Sequence, residues 1–272
     1  MRIAFIGGGH MTTALVGGLL RHGAHVDSVR VADPVPSQLE RLAYEFGVRG
    51  STDNREVVAD ADLVVLAVKP QDMAPAARGI ARDLAARRRV VVSVAAGVRL
   101  ADLDRWLGDG IPIVRAMPNR PALIGAGITA LYAGAGITTD DRAAVEKLMS
   151  AAGGTVWVEE ESQMDAATAI SGSGPAYFFL LIEALEAAGI EIGLPHETAR
   201  RLAAETARGA GRMAAESGLE PATLREQVTS RGGTTAAALE VLEASGMRGI
   251  VRRAVDAALR RSAELATQSG GA

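Results

Sequence analysis

The stretch Ile3–Thr12, IAFIGGGHMT, constrains the fold of this chain more than any other. Ile3 to Ile6 is an apolar run suited to a buried strand, and Met11 to Leu20 has helical character. Between them Gly7 and Gly9 permit a tight turn and a close backbone approach. Strand, glycine turn and helix in this order make a dinucleotide site, where helix N–H groups and the helix dipole hold a pyrophosphate. The third position of the motif, ordinarily Gly or Ala, is Thr12, so the match is imperfect.

The glycine turn opens a longer alternation, which gives it weight. Strand-like segments recur at Val29–Ala32, Leu63–Val68, Val90–Val94 and Ile113–Met117, with further candidates at Gly127–Tyr132 and Thr155–Val158. Helical stretches such as Ser37–Phe46 and Ala74–Ala86 lie between them. This alternation predicts an α/β fold, a Rossmann-type doubly wound parallel sheet covered by helices. Beyond about residue 160 the pattern is helical only, at Gln163–Ile170, Pro175–Ala188, Glu197–Ser217, Pro221–Val228, Ala236–Ala244 and Arg248–Gln268. The expected division is a dinucleotide-binding domain over 1–160 and an all-helical domain over 161–272.

Composition removes several classes of function. The net charge is −3 and no block of Lys or Arg occurs, which argues against nucleic acid as a partner. With no cysteine there are no disulfides, thiolate nucleophiles or thiolate metal sites. The histidines at 10, 22, 25 and 196 lack metal-ligand spacing, so no metal is expected. Arg2 precedes an apolar stretch, yet Gly7–Gly9, His10 and the Thr pair interrupt it and no small-residue cleavage site comes after it. The apolar run Tyr177–Ile182 ends at Glu183 and Glu186, too short to span a bilayer. The expectation is a cytoplasmic protein that does not engage a membrane.

Chemistry-bearing residues fall at strand ends and loops. Asp33 closes the second strand, where a carboxylate accepts hydrogen bonds from an adenosine ribose; its ordinary alternative is a turn before Pro34. No Arg or Lys lies in Pro34–Gln38, so a 2′-phosphate finds no evident local partner there. Lys69 ends Leu66–Gln71 and is one of only two lysines, the other being Lys147; it faces either a cofactor or solvent. Val94–Val98 ends a strand in small residues that admit a flat ring, and Asn119 ends Met117-Pro118-Asn119, as ligand contact or turn residue. Ser171–Pro175 reads as a boundary between two helices. Val228–Thr235 precedes a helix and sets four hydroxyls and the Arg231 guanidinium around consecutive backbone N–H groups, an anion cradle suited to a carboxylate.

Together Ile6–Met11, Leu66–Gln71, Val92–Val98, Arg115–Gly127, Ser171–Tyr177, Leu224–Thr235 and Ala254–Leu265 resemble the pyrroline-5-carboxylate reductase family over essentially the whole chain. The resemblance implies NAD(P)H-dependent reduction of 1-pyrroline-5-carboxylate to L-proline, the last step of proline biosynthesis. It also implies a helical domain that interleaves with a partner's to form a homodimer, often assembled into a decamer. Cofactor contacts then fall on Ile6, Gly7, Gly8, Gly9, His10, Met11, Asp33, Asn54, Val68, Lys69, Pro70, Ala95, Ala96, Gly97 and Asn119. The imino-acid substrate falls on Ser230, Gly232, Gly233 and Thr234, with the Thr235 hydroxyl beside the ring nitrogen as hydrogen-bond partner or proton donor. Such a reaction needs little acid–base machinery, which suits a chain with no legible dyad or triad.

The departures from the family pattern are His10 for Asn, Thr12 for Ala, Arg120 for Thr and Arg231 for Pro. Asp33 is unlike NADPH-preferring members and leads to the expectation that NADH is accepted at least comparably to NADPH. Rival readings are a reductase of a related cyclic imino acid and a nucleotide-binding regulatory protein of the same fold. A β-hydroxyacid dehydrogenase requires a Lys in the helical half, and none occurs after 147.

Overall fold

A computed structural model describes residues 1–269. The first half builds one eight-stranded sheet from β1 (Ile3–Ile6), β2 (Val29–Ala32), β3 (Arg49–Ser51), β4 (Leu63–Leu66), β5 (Val90–Ser93), β6 (Ile113–Met117), β7 (Gly127–Ala133) and β8 (Gly153–Trp157). Their order is β3-β2-β1-β4-β5-β6-β7-β8. The doubly wound sheet is parallel as expected in every pairing except β6 with β7. Residues 118–126, with a 3-10 turn at Arg120–Ile124, connect β6 and β7, too short for a parallel crossover.

The central strands are apolar without interruption because both sheet faces are covered. Phe5, Val31, Val65 and Val92 point into one core, and Ala4, Ile6, Val64, Leu66 and Val91 into the other. The covering helices are α1 (His10–Arg21), α2 (Pro36–Phe46), α3 (Asn54–Val58), α4 (Pro70–Ala85), α5 (Leu100–Leu107) and α6 (Thr139–Ser150). Their ends are set locally. Pro36 and Pro70 occupy the first turn of α2 and α4, where the missing N–H is no loss, and Gly47 ends α2 in the left-handed conformation. Thr138 and Asp141 form a reciprocal capping box at α6.

The remaining helices are α7 (Gln163–Ala167), α8 (Gly174–Glu191), α9 (His196–Glu216), α10 (Pro221–Gln227), α11 (Thr234–Ala244) and α12 (Met247–Ser269). Thr168–Gly172 is wound as a π turn and Ser173 is a bend, so the boundary expected at Ser171–Pro175 is present in this form, with Pro175 in the first turn of α8. Counted across the π turn, Gln163–Glu191 is a 29-residue helix that contains an 18-residue stretch of mean hydropathy 1.2, enough by length and composition alone to cross a membrane. The apolar run Tyr177–Ile182 lies within it and still ends at Glu183 and Glu186.

By compactness the chain forms two units, Met1–Ser173 with the chain from Ala258 onward, and Gly174–Ala257. This cut differs from the expected one at 160/161. α7 and the π turn count with the sheet, and Ser262 on α12 donates to Asp165 Oδ1 on α7 at 2.7 Å.

Candidate functional site

In the sheet unit the strand order reverses direction of winding at β1 and β4, and ligands of such sheets sit beyond the carboxyl ends of the strands there. A cleft of about 580 Å³ lies at that place, lined by Gly7, Gly9, Asp33, Gln38, Asn54 and Lys69 among others. Gly7 adopts φ +104°, and a Cβ there would stand 2.6 Å from the Ala67 carbonyl oxygen, so only glycine fits. Its N–H donates to the Ala32 carbonyl at 2.7 Å, which fixes the turn to β2. Gly9 is the N-cap of α1 and carries no side-chain cap, so the first N–H groups of the helix stay open to an anion. Nothing lies within 4 Å of a Cβ built on Gly9, the room a pyrophosphate needs.

Thr12, the imperfect third position, is fully buried, and its hydroxyl donates to the Gly7 carbonyl at 2.5 Å. The hydroxyl thus braces the turn from inside, a role that neither Gly nor Ala supplies. Ile6 is buried at the end of β1, whereas His10 is exposed as the first residue of α1 and Met11 packs against the core.

Asp33 stands at the cleft with both carboxylate oxygens fastened. Oδ2 accepts from the Gly8 N–H at 2.7 Å and Oδ1 from the Val35 N–H at 2.8 Å. The carboxylate therefore serves the loop whether or not a ribose is present. Asn54 opens α3 behind its cap Asp53, whose Oδ1 accepts from the Arg55 N–H at 3.0 Å. Lys69 is exposed as the N-cap of α4, with Val68 before it and Pro70 in the first turn.

The other expected cofactor residues lie outside that cleft's lining. Ala95, Ala96 and Gly97 come after β5; Gly97 is left-handed at φ +73°, and a Cβ there would meet the Ala266 N of α12 at 3.3 Å. Asn119 is 8% exposed and its amide is spent on the protein. Oδ1 accepts from the Ile128 N–H at 3.0 Å, and Nδ2 donates to the Ser171 carbonyl of the π turn at 3.1 Å. Asn119 thus joins β6, β7 and the π turn.

One residue that sequence reasoning passed over is Arg41. α2 carries its Nη2 to the Gly8 carbonyl at 3.0 Å, to Thr13 Oγ1 at 3.0 Å and to Gln38 Oε1 at 3.1 Å. The expectation that no cation stands near Asp33 is corrected. The loop Pro34–Gln38 holds none, yet Arg41 sits one helical turn beyond Gln38, on the same face.

In the helical unit, Gly232 takes φ +72° and Gly233 is the N-cap of α11. A Cβ on Gly233 would collide with Ser230 Oγ, so any side chain there displaces the Ser230 hydroxyl. α11 begins at Thr234, two residues earlier than expected, and has no side-chain cap. Thr234 and Thr235 therefore occupy its first turn rather than preceding it, and Thr235 is half-buried.

Comparison with known proteins now bears on this geometry. Residues 161–265 match the family model described as pyrroline-5-carboxylate reductase dimerisation, and residues 2–97 match NADP oxidoreductase coenzyme F420-dependent. The chain is 47% identical over 269 residues to the pyrroline-5-carboxylate reductase of Pseudomonas aeruginosa, covering 99% of this chain and 98% of that one. The chain belongs to the pyrroline-5-carboxylate reductase family. The Mycobacterium tuberculosis pyrroline-5-carboxylate reductase is 44% identical, with 97% of this chain and 96% of that one covered. Among solved structures, the pyrroline-5-carboxylate reductase of Coxiella burnetii superposes with TM-score 0.94 at 40% identity, over 97% of this chain and 98% of the other. The Plasmodium falciparum pyrroline carboxylate reductase, solved with NADP bound, superposes at 0.85 and 28% identity, over 98% of each chain.

Proposed function

We infer that this protein reduces 1-pyrroline-5-carboxylate to L-proline with a reduced nicotinamide cofactor, the last step of proline biosynthesis. The observation that carries the reading is identity to family members over nearly the full length, from the glycine turn to the end of the helical half. The cleft residues fit a dinucleotide, since Gly7 must be glycine, Gly9 leaves room, and the N-terminus of α1 is uncapped. When bound, the cofactor supplies the hydride for the C=N carbon.

The protein's own groups do the rest. Backbone N–H groups from Gly9 to Met11, at the uncapped start of α1, hold the pyrophosphate, Asp33 meets the ribose, and Asn54 and Lys69 line the adjoining wall. Ala95–Gly97 keep small residues after β5, and Asn119 acts by holding the π turn in place. In the helical unit the N–H groups of Gly232 and Thr234, beside Ser230, hold the substrate carboxylate, while the Gly233 N–H closes the loop on the Ser230 carbonyl at 3.1 Å. The Thr235 hydroxyl faces the ring nitrogen and donates as that nitrogen becomes an amine. A protonated cyclic imine is already electrophilic, so orientation and electrostatics suffice.

NADPH and NADH are both proposed to serve. Residues 161–272 act as the dimerisation and substrate domain. A second copy of the chain covers the exposed Phe178, Phe179, Leu180 and Leu185 of α8, a face no solvated helix keeps bare. A decamer of such dimers and a cytoplasmic location belong to the same proposal. The direct test is steady-state oxidation of NADPH and of NADH by the purified protein with 1-pyrroline-5-carboxylate. Turnover with at least one supports the assignment; none with either, in folded protein, removes it.

A further inference from the structure

We propose that Arg41 is the residue that admits the 2′-phosphate of NADPH at a ribose site otherwise closed to it by Asp33. The inference rests on the reading of the cleft as a dinucleotide site. A carboxylate at the end of β2 repels a phosphate on the ribose 2′-oxygen, and alone it selects the unphosphorylated cofactor. Here a guanidinium is built against the same turn. Gly8 is gripped from both sides, its N–H by Asp33 Oδ2 at 2.7 Å and its carbonyl by Arg41 Nη2 at 3.0 Å.

Three details fit a phosphate ligand better than a brace alone. All three acceptors on Nη2, the Gly8 carbonyl, Thr13 Oγ1 and Gln38 Oε1, are neutral. The one carboxylate near the guanidinium is Glu45, 3.4 Å from Nη1 and about half exposed, a weak and exchangeable partner. The Arg41 side chain is 40% exposed, and Gln38, which its guanidinium touches, lines the cleft.

Asp33, meanwhile, is already satisfied by two backbone N–H groups and does not neutralise Arg41. Lys69 lines the same cleft as N-cap of α4, and the other arginines nearby are committed elsewhere. Arg55 is paired with Asp53 through Nε and Nη2, and Arg49 opens β3, facing Asp27 at 3.9 Å. A planar fork that exchanges Gln38 and Glu45 for phosphate oxygens keeps its charge throughout, since guanidinium does not deprotonate.

The test compares wild type, Arg41→Met and Arg41→Lys. Calorimetry with 2′-phospho-ADP-ribose and with ADP-ribose reads the site without turnover, and kcat/KM with NADPH and NADH reads it with turnover. Arg41→Met is expected to lower the NADPH:NADH ratio of kcat/KM about ten- to a hundred-fold, the loss of a charge-assisted hydrogen bond. The preference for 2′-phospho-ADP-ribose falls in parallel, and Arg41→Lys loses less. A ratio that does not move, or equal losses with both nucleotides, would make Arg41 a brace of the glycine turn and overturn the proposal. Should the protein fail to reduce 1-pyrroline-5-carboxylate, the calorimetric arm still decides the role of Arg41.

Discussion

Asp33 Oδ2 accepts the Gly8 N–H at 2.7 Å, so the carboxylate that closes β2 is fastened to the glycine turn at the end of β1. One side chain thereby combines loop geometry with cofactor choice. Asp33→Asn removes the charge and keeps the shape, at the loss of one of the two backbone N–H bonds that the carboxylate accepts. The expected outcome is a rise of about tenfold in the NADPH:NADH ratio of kcat/KM, the scale of one relieved like-charge contact. A ratio left where it was would confine Asp33 to holding the turn.

Much of this arrangement is legible in the sequence, and the exceptions have physical causes. β1, β2 and β6 begin and end where the sequence places them. β1 is apolar throughout because it is buried on both faces, whereas β2 and β6 each carry one arginine, Arg30 exposed and Arg115 paired with Glu161. β3 is illegible, since Arg49-Gly50-Ser51 has no strand character and exists only by pairing with β2. α3 is five residues long, below what periodicity detects, although Asp53 marks its start. α5 and α6 were within reach. Leu103, Trp106 and Leu107 repeat at helical spacing, and Thr138 with Asp141 is a capping signal.

The site divides in the same way. The glycine turn is local, so its residues are read directly. Arg41 acts on Gly8 only because α2 folds back along the turn, and Asn119 reaches Ser171 only through the tertiary fold. The π turn is equally hidden, since Ser171-Gly172-Ser173-Gly174-Pro175 carries every local signal of a helix break.

Acid stability depends on Asp141. The Arg88 guanidinium bonded to it, with the Thr138 cap, holds its pKa down at about 2 from an ordinary 3.8. A group depressed on folding contributes stability above its unfolded pKa and loses it as pH falls through the folded one. Asp141→Asn is therefore expected to lose on the order of 2 kcal/mol at neutral pH. Urea unfolding of variant and wild type should show that gap narrowing as pH drops from about 4 towards 2. A gap independent of pH over that range would assign the loss to capping alone.

The exposed face of α8 leads to a statement about assembly. Phe178, Phe179 and Leu180 are 60–67% exposed in the single chain, and burying them requires another surface. Light scattering at micromolar concentration is expected to give at least a dimer. A monodisperse species at 28.1 kDa would contradict that, and would leave the apolar helix Gln163–Glu191 in need of a different cover.

Thr235 decides the chemical part of the proposal. Its place in the first turn of α11, behind the N-cap Gly233, means that its hydroxyl is not the helix cap. If that hydroxyl faces the ring nitrogen, hydride addition to the protonated imine creates a lone pair there that accepts a hydrogen bond from it, a bond the ground state lacks. An interaction made chiefly in the transition state lowers kcat when removed, whereas uniform binding alters KM. Thr235→Val nearly preserves shape and is expected to lower kcat roughly ten- to a thousand-fold, the loss of one positioned donor. Thr234 offers mainly its backbone, so Thr234→Ala should be milder and fall chiefly on KM. Melting temperature measured alongside separates chemistry from folding. A Thr235→Val enzyme with unchanged kcat, whatever its melting temperature, would take the hydroxyl out of the reaction and leave the imine nitrogen to solvent.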